Sequence, residues 1–158
     1  MALSAYNCYN GYICRGSAIR PSNKDGITII LCPAGSYCHQ NNLPTSSTST
    51  ATTQLPCPIN YYNPVEGQSA CLPCEAGFSC QKLEIIQPDP CPQGYYCPAF
   101  NPNTGVQNVI PCPAGTYSSD YYLSSVSQCN NCPAGKYCEI GSAQFTGYCD
   151  KGYICTGG

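Results

Sequence analysis

The stretch Cys32-Pro33-Ala34-Gly35-Ser36-Tyr37-Cys38 decides the fold, because near-copies of it recur along the chain. Eight segments begin with Cys and have Gly or Asn at the fourth place. Numbered 1 to 8 in chain order, they begin at Cys8, Cys32, Cys57, Cys74, Cys91, Cys112, Cys132 and Cys149. A repeated motif of this kind could bind a metal, carry redox chemistry or form a structural scaffold. The rest of the sequence favours a scaffold.

The fourth position of each segment is expected to lie in the left-handed region. Seven segments have Gly there, which adopts positive φ without penalty, and segment 3 has Asn60, which tolerates it better than most residues. Pro follows the first Cys in five segments, and this order favours a type I turn that ends in a left-handed residue. An aromatic ring follows within two residues in every segment, and we expect it to cover a disulfide. The rings are Tyr12, Tyr37, Tyr61, Phe78, Tyr95, Tyr117, Tyr137 and Tyr153.

The 158-residue chain has little material for a packed core. Leu, Ile, Val and Phe total 25, about 16% of the residues, which is below the roughly 20% that core-forming sequences contain. Sixteen cysteines, about 10% of the chain, are typical of a disulfide scaffold in an oxidising compartment. Small units with little apolar surface to bury are usually held by such cross-links.

Charge and hydropathy argue against two classes of partner. Only 9% of the residues are charged, with no basic patch for nucleic acid. No apolar run approaches the roughly 18 residues of a membrane span. The first residues lack the basic and apolar regions of a secretory signal, so we expect this sequence to be a mature or excised part of a secreted protein.

The cysteine spacing reveals a longer repeat. Cys71, Cys74, Cys80, Cys91 and Cys97 each have another cysteine 58 positions further on, and Cys57 has Cys112 at an offset of 55. This predicts a partial repeat at 1–38 with four cysteines, a Ser/Thr-rich linker at 39–56, a full six-cysteine repeat at 57–97, a linker at 98–111 and a second full repeat at 112–158.

The order Cys57-x13-Cys71-x2-Cys74-x5-Cys80-x10-Cys91-x5-Cys97 resembles the cysteine-rich repeats of tumour necrosis factor receptors. The CPAGTYS…CxxCPAGxYC wording is similar to the ephrin-receptor-like repeats that are common in protist surface proteins. The likeness extends over about residues 8–155. It implies small disulfide-rich repeats, arranged as an elongated rod of short β-hairpins and loops with almost no helix and no single hydrophobic core.

The resemblance also implies a disulfide pairing. In those families the six cysteines pair first with second, third with fifth, and fourth with sixth. Carried onto this sequence, the pairs are Cys8–Cys32, Cys14–Cys38, Cys57–Cys71, Cys74–Cys91, Cys80–Cys97, Cys112–Cys129, Cys132–Cys149 and Cys138–Cys155. Seventeen residues separate Cys14 from Cys32 where later repeats have ten, and sequence alone permits other connectivities.

Metal binding, redox chemistry and catalysis are the rival uses of these residues. Each full repeat has one CxxC, at Cys71/Cys74 and at Cys129/Cys132, but C-x5-C is not a usual zinc knuckle. A thioredoxin-like motif would need a βαβ pattern. His39 is the single histidine and the acids are scattered, so we expect no catalytic residue, no metal, no cofactor and no enzyme.

The linker after segment 2 favours covalent glycans. Eight of its ten residues from Pro44 to Thr53 are Ser or Thr, which is typical of a mucin-like O-glycosylated stretch. The predicted sites are Thr45, Ser46, Ser47, Thr48, Ser49, Thr50, Thr52 and Thr53. A bare flexible spacer is the alternative interpretation.

These features favour an extracellular structural repeat protein that forms a rod or polymeric filament of a cell-surface coat or appendage. Its partner would be itself, head to tail or laterally, or neighbouring repeats of a longer chain. Few charges and the paired tyrosines at 61–62, 95–96 and 121–122 make such association plausible. The alternative is a ligand-binding or adhesion ectodomain of a cell-surface receptor.

Overall fold

The computed structural model describes residues 10–13, 30–39, 54–105 and 109–151. Short strands alternate with turns throughout these ranges, and a 3-10 helix covers Val126–Gln128. The strands are β1 (Tyr12–Ile13), β2 (Ile30–Leu31), β3 (Ser36–Cys38), β4 (Gln54–Pro56), β5 (Tyr61–Tyr62), β6 (Leu72–Pro73), β7 (Phe78–Ser79), β8 (Asp89–Pro90), β9 (Tyr95–Tyr96), β10 (Ile110–Pro111), β11 (Thr116–Tyr117), β12 (Asn130–Asn131), β13 (Lys136–Tyr137) and β14 (Gly147–Tyr148).

The strands pair in chain order, two to a sheet: β1 with β2, β3 with β4, and so on to β13 with β14. The pairing is antiparallel, with Tyr37 opposite Leu55 in β3–β4 and Tyr95 opposite Pro111 in β9–β10. In each sheet the strand that follows the left-handed residue of one segment pairs with the strand that precedes the first Cys of the next. The repeating unit of the fold is therefore one segment with its connection.

The turns of segments 1 to 7 confirm the predicted left-handed fourth position, and Gly152 of segment 8 lies outside the described residues. Gly35 has φ 79° and Asn60 has φ 71°. The remaining examples within the described ranges are Gly11, Gly77, Gly94, Gly115 and Gly135. The predicted turn frame was wrong by one residue, because the Ser36 N–H donates to the Pro33 carbonyl over 3.1 Å. Pro33 is thus first in the hydrogen-bonded turn and Gly35 is third, where a type II turn needs positive φ.

Backbone hydrogen bonds stack consecutive segments in a constant pattern. The Gly94 N–H donates to the Ser118 carbonyl over 2.9 Å, and the Cys112 N–H donates back to the Gly94 carbonyl over 2.8 Å. Gly35 makes the same two bonds, with Asn63 and Cys57, at 2.9 Å each. Segments 1 with 2, 4 with 5, and 6 with 7 repeat the pattern. The polar backbone groups that a small core cannot shield are satisfied by the neighbouring segment.

The chain divides into two compact units, Met1–Leu72 with Lys82–Gln87 and Pro73–Gln81 with Pro88–Gly158. In the first unit the buried apolar residues are Cys32, Cys38, Cys57 and Ile85. In the second they are Cys74, Cys80, Cys91, Cys97, Cys112, Cys132, Cys138 and Leu123. Within the described parts of each unit, sulfur atoms and one aliphatic side chain occupy the place of a hydrocarbon core.

The fold class predicted from sequence, small and disulfide-rich with short β pairs, is confirmed. Within the described ranges no α-helix is present, and none of the helical structure there is long or apolar enough to cross a bilayer. Ser125 caps the 3-10 helix, since its hydroxyl accepts from the Ser127 N–H and the Gln128 side chain accepts from the Ser125 N–H over 3.0 Å.

Candidate functional site

The disulfide-closed turn is the feature that the chain repeats. Four segments are closed by a bond between their first and seventh residues, with Cα atoms 5.8 to 6.0 Å apart, as ordinary disulfide geometry requires. These bonds are Cys32–Cys38, Cys74–Cys80, Cys91–Cys97 and Cys132–Cys138. Two longer bonds, Cys57–Cys71 and Cys112–Cys129, complete the set within the described residues.

This pairing corrects the one that the resemblance implies. The two longer bonds agree with it. The crossed pairs Cys74–Cys91, Cys80–Cys97, Cys132–Cys149, Cys138–Cys155, Cys8–Cys32 and Cys14–Cys38 are wrong, because one or both of their members bond within their own segment. Cys149 is also disulfide-bonded, while Cys8, Cys14 and Cys155 lie outside the described residues.

The turn itself explains the local pairing. A left-handed residue at the fourth place reverses the chain, so the seventh residue returns beside the first. Two cysteines at those places are then within disulfide reach before any neighbouring segment stacks against them. A crossed pair, by contrast, would have to bring together the sulfur atoms of cysteines in two different segments.

Segments 3 and 6 end in a polar residue where the others end in Cys. Asn63 and Ser118 take the seventh place and are 1% and 0% exposed. The Asn63 Nδ2 donates to the Ser36 carbonyl over 2.7 Å, and the Ser118 hydroxyl accepts from the Asp120 N–H over 3.2 Å. Because these segments cannot close on themselves, Cys57 and Cys112 bond forward to Cys71 and Cys129.

Sequence reasoning missed this role of Asn63 and Ser118, although a signal for it was present. The C-x5-C spacing occurs in six of the eight segments, and the two that lack it are the two followed by a CxxC. The first Cys of each CxxC, Cys71 or Cys129, is the partner that an open segment requires. The CxxC therefore compensates for a missing seventh cysteine.

The other residues that the sequence analysis considered are not brought together into one site by the described structure. The two cysteines of each CxxC belong to different disulfides, and among the described residues no group of three or more His, Cys, Asp or Glu could hold a metal ion. His39 is half-buried at the end of β3. The predicted O-glycosylation sites from Thr45 to Thr53 lie outside the described residues.

The aromatic ring of each segment is half-buried in most cases. Tyr12, Tyr37, Tyr61, Phe78, Tyr95 and Tyr117 are of intermediate exposure, and Tyr137 is exposed. The Tyr137 ring lies across Gly147, its partner in β13–β14, where an added Cβ would be 2.7 Å from a ring carbon. Covering of the disulfides by these rings stays a prediction, and Tyr153 is outside the described residues.

Connections between segments are anchored back on earlier segments. In the second unit the Tyr122 N–H donates to the Cys91 carbonyl over 3.1 Å, and the Leu123 carbonyl accepts from the Cys97 N–H over 2.7 Å. One step further on, the Gly141 N–H donates to the Cys112 carbonyl over 2.9 Å, and the Ser142 carbonyl accepts from the Ser118 N–H over 3.0 Å. The two connections thus leave the stack in equivalent places.

The same connections cross over the glycines of earlier segments. A Cβ on Gly77 would stand 2.9 Å from the Tyr122 carbonyl oxygen, and one on Gly94 would collide with the Gly141 carbonyl. In the first unit, a Cβ on Gly35 would stand 2.6 Å from the Glu84 carbonyl oxygen. Glycine is therefore required twice over, for its backbone conformation and for the close approach.

No family model matches this sequence. Two curated proteins are similar to part of it: "Signal peptide, CUB and EGF-like domain-containing protein 3" of Mus musculus, 28% identical over 114 residues, and the Homo sapiens protein of that name, 29% identical over 114 residues. The match covers 61% of this chain and 11% of either relative, so the chain spans about a tenth of their length. The disulfides and this likeness point to a cysteine-rich small-domain protein of extracellular or secreted location.

Proposed function

We propose that this protein is an extracellular structural repeat protein, forming a rod or polymeric filament of a cell-surface coat or appendage. The observation that carries the proposal is the stacking pattern, in which five left-handed glycines exchange the same two backbone bonds with the next segment: Gly11, Gly35, Gly77, Gly94 and Gly115. A pattern with one constant step can be extended by further segments, as in other repeat proteins. Such a role needs stiffness and chemical resistance, which local disulfides supply.

A non-catalytic role belongs to this proposal. The relatives' names state domain types and no reaction. In this chain, Asp120 and Glu139 are exposed carboxylates on separate connections, and their arrangement offers no paired acid and base. Stable cross-links at regular intervals serve a scaffold better than a reaction.

Covalent glycans on Thr45 to Thr53 are the second part of the proposal. Eight Ser and Thr hydroxyls in ten residues would coat the connection after segment 2 and stiffen it. Mass spectrometry of the unreduced native protein tests this directly, since hexose-type mass on that tryptic peptide is expected. An unmodified peptide from native material would contradict it.

Electron microscopy of the native, oxidised protein tests assembly. We expect filaments of uniform width, and we expect Gly94→Ala to abolish them because its Cβ collides with the Gly141 carbonyl. Gly135→Ala is the matched control, since no atom lies within 4 Å of its added Cβ. Dispersed particles of the unaltered protein would refute the filament.

A ligand-binding or adhesion ectodomain is the second candidate function. The observation that favours it is the exposure of large apolar side chains on the connections of both units, including Val65 at 52%, Leu83 at 59% and Ile140 at 67%. Exposed apolar groups at regular places are typical of interaction surfaces. A saturable protein ligand, lost on substitution of one connection, would support this candidate over the first.

A further inference from the structure

Two consecutive connections of the second unit hold equivalent places in the stack, and we call their exposed residues the tip surface: Asp120, Tyr121, Tyr122, Glu139 and Ile140. The two connections make equivalent backbone bonds to Cys91 and Cys97 and to Cys112 and Ser118. They are therefore related by one step of the stack, and we infer that they lie side by side. The tip surface lies within a single compact unit.

The apolar side chains of the tip surface are turned to solvent. Tyr121 is 53% exposed, Tyr122 is 57% exposed and Ile140 is 67% exposed. The adjacent Leu123, by contrast, is 4% exposed and supplies the apolar part of the unit's core. Burial of Tyr121 and Ile140 thus contributes little to folding, and Tyr is the residue type most often enriched where proteins meet.

Tyr122 departs from what the backbone prefers. Its φ is 65°, and Gly141, which makes the equivalent hydrogen bond one step on, has φ 74°. A bulky residue at positive φ is unfavourable where Gly would be free of strain. The Tyr122 ring meets the Phe78 ring edge-on at 5.5 Å, which fixes its direction while leaving over half of it exposed.

Charge selects the kind of partner. Asp120 and Glu139 are both exposed and stand directly beside Tyr121 and Ile140, with no basic residue next to either along the chain. Lys136 of the same unit places its ammonium 3.5 Å from the centre of the Phe145 ring. Two copies joined through this surface would oppose carboxylate to carboxylate, whereas Lys or Arg would complement it.

We propose that the tip surface binds an extracellular protein segment that carries Lys or Arg together with apolar side chains. The apolar groups pack on Tyr121, Tyr122 and Ile140, and the basic groups pair with Asp120 and Glu139. This rests on the second candidate function above, for which it names a site and a partner chemistry, and it does not depend on filament formation. It assigns one function to residues of connections that backbone hydrogen bonds anchor to the stack and that the fold does not bury.

A synthetic peptide that alternates Lys and Leu is the probe, and fluorescence anisotropy with the intact oxidised protein is the measurement. We expect saturable binding that weakens with salt, and at least tenfold weaker binding to the Asp120→Lys/Glu139→Lys variant and to the Tyr121→Ala/Ile140→Ala variant. Tyr148→Ala is the control for loss of an exposed ring, since Tyr148 is 72% exposed on another part of the unit. It should bind the peptide as the unaltered protein does.

Three outcomes would overturn the proposal. Equal affinity for a Lys/Ser peptide would mean that the apolar groups do not take part. Unchanged binding by both double variants, with disulfides and circular dichroism intact, would place the peptide elsewhere. Concentration-dependent dimers in analytical ultracentrifugation that disappear in Tyr121→Ala/Ile140→Ala would make a second copy the occupant.

Discussion

Segments 5 and 6 are neighbours in the second unit and differ in how they are cross-linked. Segment 5 closes on itself through Cys91–Cys97, while segment 6 ends in Ser118 and bonds forward through Cys112–Cys129. Both nevertheless have a left-handed Gly at the fourth place, with φ 79° and 85°. The turn therefore does not require its own disulfide, and the glycine and the stacking bonds are sufficient to shape it.

The two kinds of bond also differ in what they stabilise. The local bond closes a separation of 6 residues and the forward bond one of 17, which the chain-entropy model converts to about 2 and about 3 kcal/mol. The local bond holds a turn that the backbone already favours. Cohesion between segments in the described part of each unit comes from backbone hydrogen bonds, which reducing agents do not break.

Gly94→Ala in segment 5 is the strongest test of the conclusion that the glycine and the stacking bonds shape the turn. We expect a loss of about 4 kcal/mol, from the left-handed backbone and from displacement of the overlying Gly141 backbone, measured as free energy of unfolding in guanidinium. Gly135→Ala has the same backbone conformation but open space around its Cβ, so it should lose only about 1–2 kcal/mol. Equal losses would show that the close approach does not matter.

Removing whole cross-links is the next largest change. Cys112→Ala/Cys129→Ala should cost about 3 kcal/mol and Cys91→Ala/Cys97→Ala about 2 kcal/mol, because the longer loop gains more freedom when unfolded. Denaturant unfolding of both double variants measures the difference. A larger loss for the Cys91/Cys97 variant would mean that the local bond shapes the turn after all.

Ser118→Cys converts segment 6 into a copy of segment 5. We expect Cys112 to bond with the new residue at position 118, which leaves Cys129 as a free thiol, with a change of about 1 kcal/mol in stability from the shorter loop. Thiol titration and unreduced peptide mapping measure the outcome. Retention of Cys112–Cys129 with the new cysteine free would show that the seventh residue does not direct pairing.

The smallest effect is expected from Ser125→Ala, within the loop that the Cys112–Cys129 bond of segment 6 closes. Loss of the cap on the 3-10 helix should cost about 0.5 kcal/mol, because its bond to the Ser127 N–H is long at 3.4 Å. Thermal unfolding measures it, with Ser127→Ala as the control for loss of a neighbouring hydroxyl. A loss above that of Cys112→Ala/Cys129→Ala would contradict this ranking.

The sequence predicted the elements that depend on a single segment. Gly35 and Asn60 could be assigned to the left-handed region because that preference belongs to the residue itself. The crossed pairing was wrong because it was carried over from the families that the sequence resembles, and spacing alone does not decide whether Cys74 pairs with Cys80 or with Cys91.

The tip surface could be predicted from the sequence only in part, since Tyr121 and Tyr122 form one of the tyrosine pairs that make association plausible, while the place of Glu139 and Ile140 in it could not. Tyr122 and Gly141 are equivalent only through hydrogen bonds to Cys91 and Cys112, which lie about thirty residues earlier. The sequences around Tyr122 and Gly141 have no motif in common. Contacts that skip a segment leave no local pattern, whereas the alternation of Cys, Gly and aromatic ring does.

A disulfide within a single segment also affects how the number of segments can change when the gene lengthens or shortens. Excising segment 5 with its connection would remove two cysteines that bond to each other, so no orphan thiol remains. Excising segment 6 alone would strand Cys129, and no orphan thiol remains only if the connection leaves up to and including Cys129 while Cys132 stays with Cys138. A closed segment can therefore be deleted or duplicated without an orphan thiol wherever its connection is cut, whereas at an open segment the cut must fall between the two cysteines of the CxxC.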